Sequence, residues 1–191
     1  MRTGLILPNI LSPVNDRDTI VAAAKLAEDA GFDSVWACDH VLMLAENVAY
    51  GNGTEILITL AYLAAITERV ELGTGILLLP LRNPLVVAKQ FATLDAFSDG
   101  RTLFGIGVGW NKPEYEFLNA DFHQRGKLAD EYIDIVYKLW TEDDPSHEGT
   151  HSFDDVLFAP RPIRRPPLYI GGGSDAAIKR AARVGDAWQP N

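Results

Sequence analysis

The 191-residue chain carries 17 Lys and Arg residues against 26 Asp and Glu residues, a formal net charge of −9 at pH 7 with histidine neutral. This balance argues against nucleic acid or an anionic membrane surface as the main partner. Hydrophobic residues make up 47% of the chain, which is typical of a folded globule. The single cysteine, the short apolar start broken by Pro8, and the lack of any apolar stretch of about 20 residues lead us to expect a cytoplasmic protein.

Strand-like apolar runs alternate with helical patterns in chain order. The predicted strands are residues 4–10, 34–38, 70–79, 102–108, 168–170 and 186–189. The predicted helices are residues 16–30, 54–66, 84–97, 125–140 and 174–184. Asp16 and Asn83 are placed as N-caps, and Gly31 stands where a C′ glycine belongs. Residues 143–167 break the rhythm with four late prolines, which indicates an irregular loop or a short hairpin.

Repeated β-then-α units with nearly continuous apolar strands predict a parallel sheet covered by helices. Both an open doubly wound sheet and a (β/α)₈ barrel satisfy that pattern. Polar or glycine-rich groups follow nearly every strand, which favours the barrel because it gathers all its strand ends at one mouth. We therefore expect one domain, residues 1–191, of the TIM-barrel type. With about six of eight βα units it is C-terminally incomplete, either a fragment or a reduced member of the fold.

The strand at 168–170 leads into three glycines and then a helix. Backbone N–H groups of Gly171, Gly172, Gly173 and Ser174, together with the helix dipole, are suited to hold a phosphate. The alternative is a tight turn in which Ser174 is a simple N-cap. No Walker motif is present, and GIGVG does not satisfy the dinucleotide fingerprint.

Two other strands contain glycines. Those at 73 and 75 predict a bulge or the close approach of a flat ring, with helix packing as an equally good explanation. The alternating glycines at 105, 107 and 109 clear one face of their strand, and Trp110 is a candidate wall for an aromatic cofactor. Glu114 and Glu116 follow; solvated carboxylates at a helix start are favoured over a general acid.

Asp39 and His40 end the second strand. Histidine is the side chain best matched to proton exchange near neutral pH, although an isolated pair of this kind is more often a turn residue beside a satisfied histidine. Cys38 lacks a base partner in sequence and is predicted to pack. The other histidines lack ligand spacing, so no zinc site is predicted.

Three segments together carry a family resemblance: GFDSVWACDH at 31–40, ITERVELGTGILLLPLRNPLVVAKQFATLDAFSDGRTLFGIGVGW at 66–110, and PPLYIGGGSDAAIKRAARVGDAW at 166–188. They resemble the bacterial luciferase-like monooxygenase superfamily, and most closely its branch of oxidoreductases that depend on the deazaflavin coenzyme F420. The resemblance covers nearly the whole chain and is weakest between residues 143 and 165.

The resemblance implies a (β/α)₈ barrel with the cofactor ring at the C-terminal mouth. By position, Asp39 and His40 match the pair close to the ring, with His40 as the acid/base or charge-stabilising residue. The other implied cofactor contacts are the bulged third strand (Thr74, Gly75, Ile76) with a non-prolyl cis peptide at Gly75–Ile76, the strand at the ring edge (Gly107, Gly109, Trp110) and the phosphate turn (Gly171, Gly172, Gly173, Ser174). A homodimer and a small-molecule substrate are also expected from the resemblance.

The leading hypothesis is therefore hydride transfer between F420 and a small organic substrate. The first alternative is a monooxygenase that uses flavin mononucleotide (FMN) on the same scaffold. A second is a flavin-binding protein without catalysis, which the incomplete barrel would suit. A phosphate-binding aldolase or isomerase is disfavoured because no lysine lies at a predicted strand end.

Overall fold

The structure is a computed structural model, and it describes residues 2–10, 12–51 and 53–190. Its strands are β1 (Gly4–Ile6), β2 (Ser34–Ala37), β3 (Glu71–Thr74), β4 (Leu77–Leu78), β5 (Thr102–Gly107), β6 (Leu168–Gly171) and β7 (Ala187–Gln189). Its α-helices are α1 (Arg17–Asp29), α2 (Val48–Gly51), α3 (Ile56–Ala64), α4 (Pro84–Phe97), α5 (Lys112–Phe117), α6 (Arg125–Thr141) and α7 (Asp175–Val184). Short 3₁₀ turns occupy Leu79–Leu81 and Phe122–Gln124.

The strands form one sheet in the order β1-β2-β3-β5-β6-β7, and all the pairings between the described strands are parallel. β3 and β4 both pair with β5, β3 near its start and β4 near its end. They are therefore two halves of a single strand position, interrupted at residues 75–76. The order follows the chain without a reversal, as in a barrel and unlike a doubly wound sheet. The predicted barrel-type sheet of about six βα units is confirmed.

Local sequence signals explain where most helices begin. The Asp16 side chain accepts a hydrogen bond from the Thr19 N–H at the start of α1. Asn83 caps α4 ahead of Pro84, and Ser174 caps α7. Helix α3 begins two residues later than the predicted start at residue 54, because Glu55 is its N-cap and accepts the capping bond from the Ile58 N–H.

Helices α3, α4 and α6 pack against the sheet over a core of aliphatic and aromatic side chains. The rings of Phe91 and Phe104 are 4.7 Å apart, and Trp140 lies 5.1 Å from Phe104, so α4, β5 and α6 meet at one aromatic cluster. The core thus lies between the sheet and these helices, and the carboxyl ends of the strands lie outside it.

Residues 142–167 contain no α-helix or strand of the sheet. Within them, His147 and Phe153 form an isolated antiparallel bridge, which agrees with the predicted excursion. Thr150 is held to α6 because its N–H and hydroxyl both donate to Glu131. In the described part of the chain, no helix has the length and apolar character needed to span a membrane.

Candidate active site

A cavity of about 490 Å³ lies at the carboxyl ends of the strands. Residues from all four predicted groups line it: Asp39 and His40 after β2; Gly75 and Ile76 between β3 and β4; Gly109 and Trp110 after β5; and Gly171 to Ser174 at the end of β6. Cys38, Leu78 and Val108, which were not predicted to belong to the site, lie beside them in the lining. Ile10, Tyr50, Arg125 and Ala177 complete the lining. Residues that are far apart in sequence thus meet at one mouth, as the barrel interpretation requires.

Two of the predicted cofactor contacts do not line this cavity. Thr74 is fully buried, and its hydroxyl donates to the Gly105 carbonyl at 2.6 Å and accepts from the Gly105 N–H at 2.8 Å. Its observed contacts therefore hold β3 to β5. At Gly107, a Cβ atom would lie 1.8 Å from Cδ1 of Ile76, so that position is covered by the Ile76 side chain.

The glycines of the inner strands were expected to leave room for a flat ring, and most of that room is filled by protein. A Cβ on Gly73 would lie 2.3 Å from the Trp36 ring, and one on Gly171 would lie 2.6 Å from Ile76. Packing therefore accounts for the glycine at 73, but against the Trp36 ring of the neighbouring strand β2 and not against a helix as the alternative explanation has it. Gly173 differs, because nothing lies within 4 Å of a Cβ built there.

The peptide bond between Gly75 and Ile76 is cis, at the position that the family resemblance implies. It lies at the break between β3 and β4. The Gly75 N–H donates to the Ala37 carbonyl at 2.7 Å, and the Gly75 carbonyl accepts from Sγ of Cys38 at 3.3 Å. The interrupted strand is thus tied to the end of β2, where Asp39 and His40 follow.

His40 lies in the cavity wall with its side chain 8% exposed. Its Nδ1 is 2.9 Å from Oε2 of Glu114, and its ring meets those of Tyr50 and Trp110 edge-on at 5.3 and 5.8 Å. Tyr50 and Trp110 also contact each other at 5.6 Å. The imidazole is therefore held by a carboxylate on one side and by aromatic edges on the others.

The expectation that Glu114 is solvated is wrong. Its side chain is 1% exposed, because its Oε1 accepts from the Val41 N–H at 2.6 Å while Oε2 faces His40. Glu116 does behave as expected: it is exposed and pairs with Lys112 one helical turn away. Sequence reasoning missed the contact because His40 and Glu114 are 74 residues apart.

Asp39 lines the cavity, but both of its carboxylate oxygens are engaged by the protein. Arg82 donates to Oδ2 and Oδ1 at 2.6 and 2.8 Å, and the Leu78 N–H donates to Oδ2 at 2.8 Å. Burial raises the pKa of Asp39, and the Arg82 guanidinium and the Leu78 N–H oppose that shift. A direct contact between Asp39 and a cofactor stays a prediction.

Cys38 has the environment of a packed thiol. Burial, with a smaller contribution from Asp39, raises the pKa of Cys38, which disfavours the thiolate. The backbone of Cys38 is held by Asn9, whose side-chain amide donates to its carbonyl and accepts from its N–H, both at 2.9 Å. Asn9 therefore positions the segment that carries the Asp39-His40 pair.

The glycine turn after β6 opens directly into α7. Gly172 has a φ of +113°, and the Ser174 hydroxyl accepts from the Ala177 N–H at 3.2 Å. Arg125, the first residue of α6, lines the same cavity. Its Nη1 donates to the Phe122 carbonyl at 2.6 Å, whereas its buried Nε has no hydrogen-bond partner in the structure. Sequence reasoning did not single out Arg125, and only its position at a helix start could have signalled it.

A second, more open cavity of about 630 Å³ lies between α6 and the excursion. It is lined by residues such as Lys138, His147 and Phe153, and by none of the strand-end groups. His147 is paired with Glu131 and Asp134 at 3.3 and 3.4 Å. Among the described residues, no group of three or more His, Cys, Asp or Glu side chains is arranged to hold a metal ion.

The parallel sheet and the cavity at the carboxyl ends of its strands define a (β/α)-barrel scaffold. The family model for luciferase-like monooxygenases matches residues 1–191, and the chain belongs to this family. It is 34% identical over 169 residues to the F420-dependent glucose-6-phosphate dehydrogenase of Kineococcus radiotolerans, covering 86% of this chain and 50% of that protein.

Two solved structures have the same architecture. One is an F420-dependent secondary alcohol dehydrogenase in complex with an F420-acetone adduct, with a TM-score of 0.83, 27% identity and coverage of 100% of this chain and 58% of that one. The other is the monooxygenase RslO1 from Streptomyces bottropensis, with a TM-score of 0.84, 29% identity and coverage of 96% and 57%. The chain spans about half the length of these relatives.

Proposed function

We propose that this chain supplies the cofactor-binding half of an oxidoreductase that transfers a hydride between the deazaflavin coenzyme F420 and a small alcohol or carbonyl substrate. The observation that carries the proposal is that His40 and the glycine turn Gly171–Ser174 line the same cavity. Two of the relatives described above, a glucose-6-phosphate dehydrogenase and a secondary alcohol dehydrogenase, are F420-dependent, and they support this choice.

The residues present fit such a cofactor. The cavity volume of about 490 Å³ lies within the range of small-molecule sites. Ile76 and Leu78 offer an apolar floor for a ring, and Trp110, whose side chain is half exposed, stands at the rim. F420 supplies the hydride chemistry when it is bound, and the protein's task is to orient donor and acceptor.

The phosphate end of the cofactor has a matching set of groups. Helix α7 presents its N-terminus beside Gly172 and Gly173, and the open space at Gly173 leaves the backbone accessible. The Arg125 guanidinium lines the same cavity and has an unpartnered Nε that a phosphate oxygen would satisfy. We assign the phosphate to this end and the ring to the end that contains His40.

His40 is proposed as the proton-transfer residue. When an alcohol loses a hydride from carbon, its hydroxyl loses a proton, and the imidazole is the group in this wall that can accept it. In the reverse direction, the imidazolium returns the proton to the oxygen of the carbonyl compound. Asp39, whose oxygens are held by Arg82 and Leu78, then serves the site by fixing the shape of its floor.

The test is a hydride-transfer assay with F420 and a panel of secondary alcohols and sugar phosphates, following the loss of F420 absorbance. His40→Ala should keep F420 binding within about threefold and lower turnover by about 10²-fold or more. The proposal is contradicted if His40→Ala loses activity only in proportion to lost F420 binding. Preference for FMN, the alternative cofactor, would move the assignment to the monooxygenase chemistry of the same family.

Three further features are proposed on the same basis. The sheet is continuous from β1 to β7, which supports one domain over residues 1–191. A homodimer is expected, and exposed apolar side chains such as Ile58 and Tyr62 on α3 offer surface for it. Sedimentation equilibrium would test the dimer, and fractionation of host cells would test the expected cytoplasmic location.

A further inference from the structure

We propose that Glu114 is a positioning residue that holds His40 in the tautomer with the proton on Nδ1, so that Nε2 is the atom that exchanges protons. The catalytic meaning of this tautomer rests on the proposed function. The tautomer itself rests on the contacts of Glu114 alone, and it can be measured without any cofactor.

Glu114 is bound at both oxygens. Oε1 accepts from the Val41 N–H at 2.6 Å and from the Leu42 N–H at 3.4 Å. Oε2 lies 2.9 Å from Nδ1 of His40. Because a carboxylate oxygen can only accept, the nitrogen that faces it must carry the proton. The neutral imidazole then has its free lone pair on Nε2.

Residues at the start of helix α5 also bind the three residues that follow His40. Asn111, which precedes α5, donates from its side chain to the sulfur of Met43 at 3.0 Å. Glu114 accepts hydrogen bonds from the backbone N–H groups of Val41 and Leu42, the two residues immediately before Met43. α5 therefore orients the imidazole through the side-chain contact and fixes its backbone through the neighbouring N–H groups.

With the proton held on Nδ1, His40 can accept the substrate proton on Nε2. As the alcohol carbon loses its hydride to the F420 of the proposed function, the substrate O–H bond breaks, a C=O double bond forms, and an Nε2–H bond forms on His40. The Nδ1–H bond to Glu114 remains intact throughout. The new positive charge on the imidazolium lies 2.9 Å from a carboxylate oxygen in a buried site, where opposite charges stabilise each other more strongly than in water.

Glu114→Gln tests the orientation of the His40 proton without changing the packing of the side chain at position 114, because glutamine and glutamate have nearly the same shape. The glutamine Oε1 can keep the bond to the Val41 N–H, and its NH₂ group then faces Nδ1. A donor at that position forces Nδ1 to accept, and the proton moves to Nε2. Glu116→Gln is the matched control, because it makes the same change two residues away on an exposed carboxylate that pairs with Lys112.

The direct measurement is the ¹⁵N spectrum of the histidine rings in the unliganded chain, with His40→Gln used to assign the His40 signals. Wild type and Glu116→Gln should show His40 protonated on Nδ1, and Glu114→Gln should show it protonated on Nε2. A wild-type His40 protonated on Nε2 overturns the proposal, and this outcome is decided even if Glu114→Gln does not fold.

Activity gives the second readout. Glu114→Gln should lower kcat by about 10²- to 10⁴-fold, as expected for a histidine held in the wrong tautomer. KM and the Kd for F420 should change less than about twofold. Turnover of Glu114→Gln at the wild-type rate overturns the proposal. If wild type does not bind F420 yet has the Nδ1–H tautomer, the proposed function fails while the positioning role of Glu114 stands.

Discussion

Asp39 and Arg82 are joined by two nearly parallel hydrogen bonds, Nη1 to Oδ2 at 2.6 Å and Nη2 to Oδ1 at 2.8 Å. Oδ2 also accepts from the Leu78 N–H, which lies just beyond the cis peptide. The pair therefore connects the end of β2 to β4 and to the turn that precedes α4. Its exposure is low, 1% for the Asp39 side chain and 14% for that of Arg82.

We expect Asp39→Asn to lower the free energy of unfolding by about 3 kcal/mol, because it removes the carboxylate that binds both terminal nitrogens of Arg82 and leaves that guanidinium only the longer 3.4 Å ion pair with Glu55. Urea unfolding followed by circular dichroism would measure the change. Asp143→Asn is the control: its carboxylate pairs with Arg161 while fully exposed, so the loss should stay below about 0.5 kcal/mol. Equal losses in the two variants would contradict the structural role given to the Asp39–Arg82 pair.

Gly105→Ala should destabilise the protein by more than about 3 kcal/mol or prevent folding. A Cβ there would lie 1.9 Å from the backbone carbonyl of Thr74, which cannot move without breaking β3. Gly173→Ala makes the same change where nothing lies within 4 Å, and should stay within about 0.5 kcal/mol of wild type. Soluble yield and thermal midpoint would compare them, and a stable Gly105→Ala variant would refute the close approach of β3 and β5.

Glu28 should give the stability a dependence on acidic pH. Its Oε1 accepts from the N–H groups of Glu68, Arg69 and Val70 at 2.9, 2.5 and 2.9 Å. Burial raises the pKa of Glu28, but these N–H groups lower it by more, so that the folded-state pKa lies below the ordinary value of 4.5. The stabilisation is thus complete above about pH 5 and is lost as the pH falls through the lowered pKa.

Glu28→Ala should therefore cost about 2 kcal/mol at pH 7, and the difference from wild type should shrink below about pH 4. Urea titrations across that range would show it. Asp29→Ala changes the next carboxylate of the same helix, which is exposed, and serves as the control; it should change the free energy of unfolding by less than about 0.5 kcal/mol at pH 7. A Glu28→Ala deficit that stays constant down to pH 3 would rule out a role for the ionised carboxylate.

Arg125 should contribute to cofactor affinity. Arg125→Met removes the cation with the unpartnered Nε from the cavity and should weaken F420 binding by about tenfold. Arg183→Met removes a cation on α7 that pairs with Asp130 and does not line the cavity, and it should leave the Kd unchanged. If both substitutions weaken binding alike, the effect comes from net charge and the assigned phosphate site is wrong.

The features that the sequence predicts correctly depend on residues close together in the chain. Asp16, Asn83 and Ser174 cap helices because their side chains bond to N–H groups two or three residues away, and that spacing is visible in the sequence. The convergence of polar groups at strand ends also followed from the βα repeat. These predictions need no knowledge of distant contacts, and the structure confirms them.

The missed features depend on distant contacts. The local sequence predicts a solvated carboxylate at Glu114 because its partner His40 is 74 residues away. Arg82 is likewise 43 residues from its partner Asp39. The glycine at 73 suggested room for a ring, but Trp36 from the neighbouring strand fills the space. Such cross-strand occupancy is decided by register, which a single sequence does not display.

Calorimetric titration of the chain with F420 and with FMN tests whether this mouth binds a deazaflavin. We predict one saturable F420 site, with a Kd at least about tenfold lower than that for FMN, a difference of about 1.4 kcal/mol. Tighter binding of FMN, or no saturable binding of F420, would show that the mouth is not a deazaflavin site.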